Sequence, residues 1–114
     1  WDSGFPVDMS IFFSTFGGHR IIASRMTDTK YLNANTALAQ GTDGSLAWDS
    51  NVGWGKDYPS HFYSYMFKRA PGFFDVVAYT GTGSARTVDH NLTVAPELLI
   101  VKCRTENGQW AVYD

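Results

Sequence analysis

The run FFDVVAYTGTGSARTVDHNLTVAPELLIVKCR, residues 73–104, is the most strongly patterned stretch of the chain. Residues 73–79 and 97–103 are apolar, rich in the β-branched and aromatic side chains that suit a pleated surface. Between them lie a Gly81-Thr82-Gly83 turn, a polar stretch and a re-entry marked by Pro96. Strand, turn and strand follow one another with no helical period, so this stretch points to an all-β chain and to a scaffold written for burial.

The same grammar extends outward in both directions. Residues 7–14 (VDMSIFFS) read as a strand, Gly17-Gly18 as a hairpin break, and residues 19–24 (HRIIAS) as the partner. Residues 31–35 give a further short strand. Residues 35–40 (NTALAQ) are too short for an independent helix and read as one turn or a loop. Residues 41–57 form the longest irregular region, with room for a short strand at residues 45–48. Residues 60–68 (SHFYSYMFK) alternate, with Phe62, Ser64, Met66 and Lys68 on one face and His61, Tyr63, Tyr65 and Phe67 on the other. Bulk on both faces predicts a central strand. Residues 85–89 add a short strand, and Asn107-Gly108 announces a hairpin into residues 109–113. The expected fold is all-β: an antiparallel β-sandwich of jelly-roll or concanavalin-like type, with about eight or nine short strands and little or no helix.

A length of 114 residues fits one domain with a modest core. The net charge of -2 and the lack of a basic run argue against nucleic acid as a partner, because phosphate contacts need clustered Lys and Arg. No stretch approaches the apolar length of a membrane span, and none has the layout of a secretory signal. The single cysteine, Cys103, has no internal disulfide partner and sits in an apolar pattern, so it is expected to be a buried, inert thiol.

The two ends of the chain echo each other at an offset of about 89 residues. Met9 matches Leu98, Ile11 matches Ile100 and Phe12 matches Val101; Gly18 falls opposite Asn107, Ile21 opposite Trp110 and Ala23 opposite Val112. One reading is that all hairpins look alike. The other is a tandem array, in which a single β-sandwich module spanning residues 1–114 is cut across two neighbouring periods, with residues 1–25 ending one unit and residues 60–114 opening the next.

Catalytic patterns are sparse. Glycoside hydrolysis needs two carboxylates at a set separation, yet the only glutamates are Glu97 and Glu106, and the nine aspartates sit mostly in turns. None of His19, His61 and His90 lies near a Gly-x-Ser-x-Gly elbow, and Gly81-Thr82-Gly83 lacks the Lys-Ser/Thr ending of a phosphate loop. The expectation is a protein that is not an enzyme. Asp43, Asp49, Asn51 and Asp57 crowd one loop and offer the hard oxygen ligands that suit Ca²⁺, but they are equally ordinary turn residues, and no other cofactor is implied. The same loop places Trp48, Trp54, Tyr58 and His61 beside Asp49 and Asn51, which is the composition of a carbohydrate platform: aromatic rings for stacking and polar groups for hydroxyls. The competing reading has Trp48 and Trp54 capping one end of the sandwich or packing against a neighbouring subunit.

Residues 66–83 (MFKRAPGFFDVVAYTGTG), followed by His90-Asn91-Leu92, residues 94–102 and the pair Trp110 and Tyr113, resemble repeats in large tail-fibre-like proteins of marine bacteriophages. The opening GFPVDMSI, residues 4–11, is similar to the corresponding strand of the preceding repeat. One departure is Asn91-Leu92-Thr93, where those repeats carry Gly-Leu-Gly. The resemblance implies a concanavalin-like or laminin-G-like sandwich located on the virion, in the tail or on the outer surface. It implies a non-enzymatic role, either binding host-surface carbohydrate or spacing, oligomerising or decorating the particle, with a glycan depolymerase fragment as a third reading. The implied partners are other virion proteins or copies of the chain itself, as a homotrimer.

Overall fold

The computed structural model describes every residue except 56–59. Its architecture is all-β and antiparallel. β1 (Met9–Ser14), β2 (Arg20–Ser24), β3 (Lys30–Asn33), β4 (Gly41–Thr42) and β5 (Phe62–Phe67) form one five-stranded sheet in the order β4-β3-β2-β1-β5. β6 (Leu99–Val101) and β7 (Ala111–Tyr113) form a separate two-stranded sheet. Among the described residues there are thus seven strands, fewer than expected, and the helical content is a single 3-10 turn at Arg25–Thr27.

Alternation explains the main sheet. In β1, Ser10, Phe12 and Ser14 are buried while Met9, Ile11 and Phe13 face the other way. The β1–β2 turn is made possible by Gly17 and Gly18, at φ +89° and +86°, where a side chain would be strained. β5 pairs with β1 in the register Phe12↔Ser64 and Phe13↔Tyr63, which places Phe62, Ser64 and Met66, grouped on one face by the sequence, on the core side. It is an edge strand, however, not a central one, and its outward tyrosines explain why. Their rings add bulk, but their hydroxyls are served by solvent.

The layer facing the sheet's inner side is largely the irregular strap of residues 43–55, giving a sandwich-like arrangement. Leu46, Trp48 and Trp54 from the strap join Val7, Phe12, Ile21 and Ala23 in one core cluster, with Trp1, Phe5, Tyr31, Phe62 and Met66 packed against it. Arg25 clasps the layers together: Nε and Nη2 donate to the Val7 carbonyl (3.2 and 3.0 Å), and Nη1 donates to the Trp48 carbonyl. At Gly53 the strap passes so close to the N-terminal segment that a Cβ there would sit 1.9 Å from the Trp1 carbonyl oxygen.

Residues 73–104 prove different from the expected scaffold. No strand forms at residues 73–79 or 85–89; Phe74 makes only an isolated bridge to Ala70. In the first of these runs Asp75 works against a strand: its carboxylate takes the N–H of Val76 (2.9 Å), a backbone donor that a ladder would need, and also that of Asn91 (2.7 Å) beyond the second run. The apolar run before Cys103 does pair, as β6 with β7, but the hairpin is solvent-facing: Leu98, Leu99, Ile100, Val112 and Tyr113 are all exposed. Cys103 is likewise exposed, which corrects the expectation of a buried thiol. Residues 45–48 form no strand; the neighbouring pair Gly41–Thr42 does.

Candidate functional site

The loop expected to hold a carbohydrate platform is divided by the fold. Trp48 and Trp54 are 6% and 1% exposed, and their rings stack on each other at 4.7 Å with an interplanar angle of 19°. Trp54 also packs on Trp1 (5.4 Å) and Phe12 (5.1 Å). Both indole N–H groups are spent internally, that of Trp48 on the Asp28 carbonyl (3.0 Å) and that of Trp54 on Ser64 Oγ (3.0 Å). Ser64 Oγ is in turn 2.7 Å from Ser10 Oγ, which satisfies two hydroxyls on a buried face. A stacking platform needs an open ring face, and this pair has none. These two tryptophans are core residues, which corrects the carbohydrate-platform reading in favour of packing within the sandwich. The glycine-rich composition that suggested an exposed loop belongs to a layer of the core.

The other members lie apart from that pair. Asp49 and Asn51 are exposed on the outer side of the strap. His61 is half-buried at the start of β5, 4.7 Å from the Phe16 ring and 4.9 Å from Phe62. Tyr58 lies outside the described residues, as does Asp57 of the proposed Ca²⁺ set. Within that set, Asp43 Oδ1 accepts the backbone N–H (2.9 Å) and hydroxyl of Ser45, so that oxygen is occupied as a turn-former. Among the described residues no three His, Cys, Asp or Glu side chains converge on one point.

Open aromatic faces occur instead on the outer side of the main sheet. Tyr63 and Tyr65, two apart on β5, are 55% and 61% exposed. Phe13 on β1 stacks against both, with ring centroids at 5.9 Å and interplanar angles of 24° and 30°. Arg20 stands opposite Phe13 in the same cross-strand row, while Ile22 and Ile11 lead to Tyr65 in the next. Phe16 and His61 extend the surface at one end. Alternation along residues 60–68 already grouped Tyr63 and Tyr65 on one face. Their exposure in the folded sheet shows that, among the described residues, nothing covers these two rings.

A second feature follows β5. Arg69 pairs with Asp75 through Nε and Oδ1, and the Arg69 N–H donates to Asp8 Oδ2 at 2.8 Å. Burial pushes the Asp75 carboxyl up, but the hydrogen bonds from Arg69, Asn91 and Val76 outweigh it and hold the group below the usual carboxylate range. The side chain of Asp75 is 3% exposed and that of Arg69 38%. The pair is therefore a strut with one wet end, and it borders a shallow cavity. Sequence reasoning missed it, because Asp75 sits inside an apolar pattern that reads as strand.

Residues 63–114 match a family described as a domain of unknown function (DUF7483). The matched segment begins inside β5 and includes Tyr63, Tyr65, the Arg69–Asp75 strut and the β6–β7 hairpin. No curated protein and no solved structure matches the chain.

Proposed function

We propose that the protein is a non-enzymatic β-module on the outside of a virus particle, in a tail fibre or related appendage, and that it binds host-surface carbohydrate. The observation that carries the ligand class is the aromatic row of Phe13, Tyr63 and Tyr65. The apolar C–H face of a sugar ring packs on an aromatic face, while its hydroxyls need polar partners close by. Tyrosine offers both in one side chain. Tyr63 and Tyr65 are separated by one strand repeat, about 7 Å, which suits adjacent units of a chain-like ligand. Phe13 behind them keeps the rings oriented at little further entropic cost on binding. The virion setting is supported by the resemblance of residues 66–83, 90–92 and 94–102, with Trp110 and Tyr113, to tail-fibre-like repeats.

A glycan array with the whole chain tests this. The wild type is expected to bind a subset of bacterial surface glycans, and the Y63A/Y65A double variant to lose that binding while melting within a few degrees of the wild type. Binding that survives the double substitution, or a wild type that binds no glycan, would overturn it. Release of reducing ends from host polysaccharide would instead support the depolymerase reading.

One observation favours a purely structural reading. The β6–β7 hairpin is tied at its connecting segment to residues 33–40, through the Gly108 N–H to the Ala37 carbonyl (2.8 Å), the Gln40 N–H to the Arg104 carbonyl (2.8 Å) and the Trp110 indole N–H to the Asn33 carbonyl (3.2 Å), yet it exposes Leu98, Ile100, Val112 and Tyr113, and a two-stranded sheet alone is at best marginal in water. It echoes β1–β2 in sequence and, like it, is antiparallel. The pairing is shifted by one residue, since Ile11 faces Ile22 while Ile100 faces Val112, not Ala111. In this reading the hairpin opens a further unit of an array, or docks on another copy of the chain. Sedimentation analysis separates the cases: association that an Ile100→Lys substitution abolishes supports the structural role.

A further inference from the structure

We infer that the cavity beside the Arg69–Asp75 pair is a binding site for one neutral, hydroxyl-bearing unit of a glycan. The cavity measures about 180 Å³, below the roughly 300–1,000 Å³ of a drug-sized site and in keeping with a single sugar ring. Met26 comes to it from the 3-10 turn after β2, Arg69 from the end of β5, and Asp75, Asp89, His90 and Asn91 from the irregular segments that follow. Val76 and Val77 give it an apolar wall, against which the C–H face of a sugar can rest.

The polar groups fall into two sets. The first builds the site. Asp75 spends Oδ1 on Arg69 and the Val76 N–H, and Oδ2 on the Asn91 N–H, so its carboxylate locks the two walls together and is not offered to a ligand. The second set is available. Among the described residues, the Nη groups of Arg69, the carboxylate of Asp89 and the side-chain amide of Asn91 take no hydrogen-bond partner. His90 accepts the Leu92 N–H on Nδ1 at 3.1 Å, which puts its ring proton on Nε2 as a donor.

Charge selects the ligand class. Arg69 and Asp75 cancel, leaving Asp89 as the uncompensated charge of the cavity. An anionic sugar or a phosphate would meet that carboxylate. A Ca²⁺ ion would need six to eight oxygens and would face the Arg69 guanidinium. A neutral pair of adjacent hydroxyls fits both sides: it can donate to Asp89 and accept from Arg69 or His90. This rests on the carbohydrate reading above but places the ligand's anchoring unit away from the Tyr63–Tyr65 row.

The test is a titration of the isotopically labelled whole chain, followed through its backbone amide resonances, with methyl glycosides of mannose and galactose, with N-acetylglucosamine, and with sialic acid and inorganic phosphate as anionic probes. A neutral sugar is expected to shift the Val76, Asp89 and Asn91 amides saturably, and the exposed Asp89→Ala variant to weaken that binding about tenfold or more. Shifts confined to Tyr63 and Tyr65 would overturn the cavity site while leaving the carbohydrate reading standing. Shifts produced only by sialic acid or phosphate would overturn the neutral ligand class. No shift with any probe would remove both readings.

Discussion

Substituting Trp54 by Ala separates the two roles that the sequence allows for this residue. In the structure Trp54 is the largest fully buried side chain, in contact with Trp48, Trp1 and Phe12. Truncating a core tryptophan costs about 3–5 kcal/mol, made up of lost transfer energy and the residual cavity. The lost hydrogen bond adds little, because Ser64 Oγ keeps Ser10 Oγ as a partner. A domain of this size has about 5–15 kcal/mol of stability in all, so Trp54→Ala removes a large share of it. At about 4 °C per kcal/mol, the melting temperature is expected to fall by about 12–20 °C. Trp54→Phe keeps a ring between Trp48 and Phe12 and should recover more than half of that loss. Thermal unfolding followed by circular dichroism reads both. If Trp54 were instead an exposed platform, its removal would change stability by no more than about 0.5 kcal/mol, or about 2 °C. A melting temperature within about 4 °C of the wild type would therefore refute the assignment of Trp54 to the core.

Three further outcomes follow from the same geometry. Asp75 is held below its unfolded value of about 3.9, so its contribution is in force above that pH and fades as pH falls through the lower native value. Asp75→Asn should be less stable at neutral pH by about 1–2 kcal/mol, the modest figure reflecting the wet Arg69, and should show a flatter loss of stability below about pH 4 in acid titrations. The Cys103 thiol is held below its ordinary range by hydrogen bonds from the Glu106 N–H and from Thr105, and it is exposed; a chromogenic disulfide reagent should label it in the native protein as fast as in the denatured chain, and protection until unfolding would contradict this. Amide hydrogen exchange should be slow in β1 and β2, which are paired on both sides, and faster in β6 and β7, whose strand ladders among the described residues are only with each other.

Much of the main sheet was legible because its strands obey a period of two. The segments around β1, β2, β3 and β5 appear within a few residues of where the sequence puts them, and the division of residues 60–68 into two faces holds. What failed were inferences that needed the third dimension. Bulk on both faces of β5 reads as a central strand, but the outer bulk is tyrosine, and tyrosine tolerates water at its hydroxyl. Trp48 and Trp54 sit among glycines and aspartates, which reads as a surface loop; the fold uses that loop as the second layer over the sheet, so its tryptophans supply the core. Residues 73–79 read as an apolar strand, yet one aspartate in the middle, paired to an arginine six residues earlier, takes the Val76 backbone N–H for itself. A pattern argument weighs Asp75 as a single polar position in an apolar run and has no means of seeing its partners.

The distribution of order along the chain bears on function. Residues 9–67 hold the five paired strands, whereas residues 73–114 hold turns, the Asp75 strut and a two-stranded hairpin with exposed apolar side chains. A segment that is well patterned yet poorly buried is hard to explain by its own packing, since Ile100 at 58% exposed gains little by being apolar there. The apolar residues of β6 and β7 correspond in the echo to Ile11, Phe12 and Ala23, and the last two of these are buried in the main sheet. The pattern therefore makes sense for a hairpin that acquires a covering layer, just as β1 and β2 are covered by residues 43–55. The carbohydrate surfaces argued above, the Tyr63–Tyr65 row and the cavity beside Arg69, lie at and just beyond β5, where the ordered sheet gives way to this second segment. Under the carbohydrate proposal, an array of such units would repeat them once per period and add multivalency to weak single sites.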